Sequence, residues 1–157
     1  MNQPSDLPER NVALLRKTQD FIEQNPSQHD QGVWHNACGT AFCYAGHAAL
    51  LAGAEHPGGR IELWHVDPVT LAAVTYVQNP ESAYVGDFAR KQLGLTEAES
   101  DALFDASRTL RGLRSLVNAL CTGAWINDYD DIWINGESRG NVDKWLVQIG
   151  AEPAYKE

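Results

Sequence analysis

Three residues near one another in the first third of the chain could do chemistry together: Cys38, Cys43 and His47. Cys43 and His47 are four apart and share a face if the segment is helical, a geometry that can bind zinc, and Cys38 or His35 could reach the same point. There is no second Cys-x2-Cys pair, so a four-ligand site would have to recruit His29, His56 or His65 from loops. The competing reading is a thiol and an imidazole packed in a core. Cys38 offers a second chemistry. It stands just before the amino terminus of an expected helix, where unsatisfied amides and the helix dipole favour an anion and can lower a thiol pKa. With Gln31 upstream as an oxyanion donor, and His65 and Asp67 as base and orienter, the outcome would be a cysteine-dependent hydrolase or transferase. The favoured reading assigns neither a catalytic nor a metal site, expects no cofactor, and has the cysteines serve shape before reactivity.

A third group lies near the carboxyl terminus. Trp125, Asp128, Asp130, Asp131 and Trp133 bring aromatic rings beside carboxylates, a composition typical of binding patches, and form the expected contact surface for a protein partner. The aspartates do not make a calcium loop, because no glycine stands at the sixth position and no glutamate at the twelfth, counted from Asn127 or Asp128. Arg108, Arg111 and Arg114 are spaced along the polar side of one helix, where they read as surface charge with the capacity to hold an anion.

The elements that must position these groups are mainly helical. Nothing breaks a helix between Gly39 and Gly53, and nearly every side chain between them is small or apolar. Residues 40–53 therefore predict a helix with no solvent face, at the centre of the domain. A first helix is expected from the cap signal Asp6-Leu7-Pro8-Glu9 and must stop before Asn25-Pro26. Residues 61–66 alternate like a short strand; Asp67-Pro68 then reads as the start of a helix to about residue 77, with strand as the competing assignment. A helix over 82–93 closes at Gly94-Leu95, Thr96-Glu97-Ala98-Glu99 is a capping box opening a short helix, and an amphipathic helix spans about 108–122. Residues 124–140 are less patterned and fit either a hairpin turning at Asn135-Gly136 or an irregular aromatic lid. Asn141 caps a last helix through Ile149. The expected fold class is mainly α: a single-domain bundle over 1–157 around the buried central helix, with a short hairpin near the C-terminus as an option.

Composition narrows the partners. The chain of 157 residues carries 12 Lys and Arg against 21 Asp and Glu, a formal charge of −9. A general nucleic-acid binder needs a basic stripe to neutralise phosphates, so nucleic acid is excluded as an expected partner. No amino-terminal leader pattern is present, and the longest apolar run is shorter than the ~20 residues that span a bilayer. A cytoplasmic location without membrane contact is expected, where three cysteines stay reduced.

The run Trp34, Cys38-Gly39-Thr40, Cys43 and Ala45-Gly46, with Asn25-Pro26 before it and Leu93-Gly94-Leu95-Thr96 and Leu103-Phe104 after it, resembles a group of uncharacterised phage and bacterial proteins. That group shares the pattern Trp, a gap, Cys-Gly-Thr, two residues, Cys, one residue, Ala-Gly, and commonly has tryptophan where His47 stands here. The resemblance covers about the amino-terminal two-thirds. It implies a small helical cytosolic protein, phage-encoded or from a mobile element, with an accessory role docking on a host protein. The Cys-Gly start also resembles the nucleophile segment of bacteriocin-processing peptidases. In those, however, the histidine follows much later, on a strand of a sheet that this chain has little material to build.

Overall fold

The computed structural model describes residues 7–29, 31, 43–53, 65–66, 73–74 and 83–153. Among these, six α-helices are the main elements: α1 (Val12–Gln24), α2 (Tyr44–Leu51), α3 (Val85–Leu93), α4 (Glu97–Leu103), α5 (Leu110–Cys121) and α6 (Val142–Gln148). Two small antiparallel sheets accompany them. The first is built of the two-residue strands β1 (His65–Val66), β2 (Ala73–Val74) and β3 (Ala83–Tyr84), in the order β2-β1-β3. The second joins β4 (Trp125–Ile126), β5 (Asp131–Ile134) and β6 (Glu137–Asn141) in chain order.

α1 begins later than its sequence signal. Asp6 lies outside the described residues, and the observed cap is Asn11, whose side chain accepts from the Leu14 amide at 3.0 Å. Residues 8–10 stay non-helical because distant contacts hold this segment: the Asn11 amide donates to the Leu93 carbonyl at 2.9 Å, and Arg10 reaches far across the fold. Leu14, Leu15, Thr18, Gln19 and Ile22 make the buried stripe of α1, and a 3-10 turn, Pro26–Gln28, ends the helical run as the proline requires.

α2 starts at Tyr44, four residues after the expected position. Cys43 has an extended backbone (φ −75°, ψ 175°), and its thiol accepts from the Gly46 amide at 3.5 Å, so the cysteine acts as the cap. Residues Thr40 to Phe42 lie outside the described residues. Tyr44, Ala45, Gly46, His47, Ala48 and Ala49 are buried, while Leu50 and Leu51 are half-buried, so the enclosure expected along the whole helix holds only for its first turns. α2 lies against α1 and α3; α1 also lies against α5, which in turn meets α4 and α6.

Between α2 and α3 the chain departs from a helical reading. Ala73–Val74 pairs with His65–Val66, with His65 opposite Val74 and Val66 opposite Ala73. The helix expected over 67–77 is therefore overturned at these two residues, in a stretch whose Val, Thr and Tyr content favours extended backbone. Ala83–Tyr84 is also strand, so α3 opens at Val85 rather than 82.

The carboxyl-terminal half follows its local signals closely. Thr96 and Glu99 form a reciprocal capping box, and Thr109 caps α5 through the Gly112 amide at 3.0 Å. Asn141 caps α6 by accepting from Asp143 and Lys144. Asn135 and Gly136 both take positive φ, 53° and 80°, as a two-residue hairpin loop of the primed type demands. The region 124–140 is thus a three-stranded sheet. Leu15, Ile22, Leu93, Leu103, Leu116, Ile126, Ile132 and Leu146 belong to one buried cluster that joins helices and sheet.

Candidate functional site

The hydrolase arrangement needs Cys38, His65, Asp67 and Gln31, and the structure speaks to two of them. Cys38 and Asp67 lie outside the described residues, and His65 is a strand residue of β1. Gln31 is buried, and its amide is spent on the fold. Its Nε2 donates to the carbonyls of Leu103 at 2.9 Å and Asp105 at 3.0 Å, and its Oε1 accepts from the Tyr44 amide at 3.2 Å. A group that ties the carboxyl end of α4 to the first turn of α2 has no donor to offer an oxyanion, so the expectation for Gln31 is corrected.

For the zinc reading, Cys38, His35 and His56 lie outside the described residues. The Cys43 thiol caps its own helix, and the His47 ring, 2% exposed, directs Nε2 at the Gln28 carbonyl at 2.8 Å. A carbonyl can only accept, so Nε2 carries the proton and the lone pair of the neutral ring is on Nδ1. The His47 ring also packs against Phe21 and His29, with centroids 5.3 and 5.9 Å apart. Among the described residues no group of three His, Cys, Asp or Glu side chains is placed to hold a metal ion. The Cys121 thiol is half-buried, and that burial pushes its pKa up, against the opposing influence of Arg16 and Arg10.

The third group is not the aromatic contact surface expected of it, because its two tryptophans pack on each other. Trp125 and Trp133 are directly opposed in the β4–β5 ladder, and their rings stack with centroids 5.6 Å apart and planes 13° from parallel. This pairing leaves Trp125 only 8% exposed and Trp133 half-buried. Trp125 is therefore not a contact residue; the tryptophans brace the sheet. What projects is the connection between the strands. Asn127 organises it: its side-chain oxygen accepts from the amides of Tyr129 at 2.9 Å and Asp131 at 3.0 Å, while its backbone amide donates to the Asp131 carbonyl. The Val142 amide then donates to the Asp130 carbonyl at 2.8 Å, anchoring the turn to the start of α6. Asp128 and Asp130 are exposed, Asp130 in the left-handed region at φ 63°, and Tyr129 between them is 84% exposed.

The electrostatics of this turn extend beyond it. Asp101 on α4 has its carboxyl pKa raised, first by partial burial and then by the negative charges of Glu97 and Asp130, with Arg90 opposing. Like charges are thus held within interaction range on one face. Neither Tyr129 nor Asp101 stands out by residue type. The asparagine at the head of an acidic run is the signal that could have found the turn, since Asn is the residue that folds a chain back through its own side chain.

Under the turn lies a buried ionic node. Arg10 donates through Nη2 to Glu99 at 2.6 Å and through Nη1 to the carbonyls of Leu120 at 3.0 Å and Ala124 at 2.5 Å. Glu99, fully buried, also accepts from the amides of Thr96 and Ile126. The node fixes β4 to α4 and α5. Arg108 precedes α5 and is buried, donating to the Ala102 carbonyl at 2.7 Å and to Asp143 at 2.5 Å. That corrects its reading as surface charge. Arg114 is exposed and pairs with Glu23 of α1.

No protein-family profile, curated protein or solved structure matches the chain. No described helix is long and apolar enough to cross a membrane.

Proposed function

We propose that the chain is a non-enzymatic binding protein that docks on a basic protein surface through the acidic turn at residues 127–131. The observation that carries this reading is Tyr129. A large ring exposed at the tip of a turn, flanked by Asp128 and Asp130 and held in place by the hydrogen bonds of Asn127 and Asp130, is a pre-organised anchor. Its carboxylate neighbours supply charge that speeds encounter with a basic partner. In the same proposal the domain is a bundle organised on α2, and nucleic acid and membrane are not partners.

The test compares the protein with Tyr129→Ala and with Asp128→Asn/Asp130→Asn, each immobilised against lysate and eluted with salt. Proteins retained by the unaltered chain should be lost on both variants, with unfolding midpoints unchanged. Retention of the same proteins by both variants would remove the turn from the interface.

A further inference from the structure

Carboxylates outnumber cations in this chain, 21 to 12, and Arg10, Arg108, Arg114 and Arg139 each stand in an ion pair. Arg16 and Lys17, successive and exposed on α1, join no ion pair among the described residues. They border a cavity of about 410 Å³ between α1 and α2, whose lining also includes Ala13, Phe21 and Leu51, with Asp20 on the same wall. Ala13, Lys17, Asp20 and Phe21 recur at the spacing of one helix face, so they make a continuous stripe along α1. Ala13 is exposed, and Phe21 and Leu51 are half-buried, so the floor of this groove is apolar surface that the two helices leave open to solvent. Two cations against one carboxylate give the lining a positive charge in a chain whose formal charge is −9.

This groove and the acidic turn are complementary in charge and in shape. Tyr129 offers a ring that is 84% exposed, with Asp128 and Asp130 one residue to either side. A tyrosine needs an apolar surface for its ring and a partner for its hydroxyl, and Asp20 supplies an acceptor at the edge of the floor. A cavity of this volume lies in the range of pockets that take up an aromatic group. The turn arrives already ordered by the bonds of Asn127 and of the Asp130 carbonyl, so docking it sacrifices little freedom. We infer that the α1–α2 groove receives the acidic turn of a second copy of this chain, with Tyr129 on Phe21 and Leu51 and the carboxylates of Asp128 and Asp130 against Arg16 and Lys17. The inference rests on the turn being a docking element, and it names the partner. Turn and groove are different patches, so the contact is heterologous: each copy leaves a turn or a groove for the next, and growth continues unless a ring closes. The net negative charge of both copies opposes their approach, which keeps the association weak and dependent on concentration.

The test is sedimentation equilibrium of the full chain. The average mass of the unaltered protein should rise with concentration, to about 1.5 times that of the monomer by roughly 1 mM. Tyr129→Ala removes the ring of the turn, and Arg16→Glu/Lys17→Glu removes the cations of the groove; each variant alone should stay monomeric over the same range. An equimolar mixture of the two should form a one-to-one dimer and nothing larger, because one intact turn and one intact groove remain. In the unaltered, nitrogen-15-labelled protein the amide resonances of Ala13, Lys17, Leu51 and Tyr129 should move together as concentration rises, a readout independent of whether either variant folds. A monomeric unaltered chain, association that survives the groove substitutions, a mixture of folded variants without dimer, or stationary groove resonances would each overturn the assignment. If the unaltered chain is monomeric yet captures lysate proteins through Tyr129, this inference alone fails; capture indifferent to Tyr129 overturns the docking role of the turn itself.

Discussion

Replacing Gly94 by alanine tests whether the segment before α1 is held where the structure puts it. Gly94 ends α3 with φ +69° and donates to Lys91, while Leu95 donates to Arg90, the two bonds of a Schellman closure. Gly150 ends α6 in the same way, with φ +77° and bonds from Gly150 to Val147 and from Ala151 to Leu146. An added methyl group costs about 1–2 kcal/mol in this backbone region at either site, offset by roughly 0.4–1 kcal/mol from restriction of the unfolded chain. At Gly150 the Cβ would meet nothing within 4 Å, so Gly150→Ala should cost about 1 kcal/mol. At Gly94 it would lie 2.0 Å from the Glu9 carbonyl oxygen and 2.9 Å from the Arg10 Cα, backbone atoms that cannot rotate aside. Moving them strains the bond from Asn11 to Leu93 and draws Arg10 away from Glu99 and the carbonyls of Leu120 and Ala124. Losing two such bonds, one of them charge-assisted, adds about 2–4 kcal/mol. Gly94→Ala should therefore cost roughly 3–5 kcal/mol in all, read as the midpoint shift in urea unfolding at constant slope. If the two variants fall within about 0.5 kcal/mol of each other, residues 9–11 are not docked on the end of α3, and the account of Arg10 fails with them.

Glu99→Ala should destabilise by about 3–5 kcal/mol, because it leaves the Arg10 guanidinium buried without its counter-charge and removes acceptors from the Thr96 and Ile126 amides. A loss under about 1 kcal/mol in urea unfolding would show that water reaches the node. For Asp101 the sign is opposite. Its folded-state pKa is raised above the ordinary 3.8, so the folded protein binds the proton more tightly and stability falls as pH rises between the two values. Asp101→Asn should be indistinguishable from the unaltered protein below that window and more stable above it. An equal or lower midpoint at neutral pH would contradict the partial burial of the Asp101 carboxylate beside Glu97 and Asp130.

What the sequence makes legible here is what is local. Thr96 and Glu99, Asn141, the Asn135-Gly136 turn and the glycines ending α3, α5 and α6 each act within a few residues, and each occurs where its type says it should. The failures share one cause, competition from distant contacts. Asp6-Leu7-Pro8-Glu9 is a sound helix start, yet the helix waits until Asn11, because the backbone at Glu9 and Arg10 is packed against Gly94 and the Arg10 side chain is bonded more than a hundred residues away. The alanine-rich run carries no periodicity to mark its own start, and its cap is a cysteine, a residue outside the usual capping set.

The candidate sites show the same division. Gln31, Cys43 and His47 have the right types for chemistry, but Gln31 spends its amide on Leu103, Asp105 and Tyr44, the Cys43 thiol accepts from Gly46, and His47 Nε2 meets the Gln28 carbonyl, so each also serves to close a helix end. Composition cannot tell a used polar atom from an idle one. The aromatic run near the carboxyl terminus carries the same ambiguity, because whether Trp125 faces a partner or Trp133 depends on the β4–β5 register, which the Asn127 turn sets. Once that register places the two indoles against each other, the only large ring left in solvent is Tyr129, among the described residues. The surface reading therefore rests on a residue chosen by exclusion: the fold uses the other aromatic side chains of the sheet, and the tyrosine it does not use stands between two exposed carboxylates.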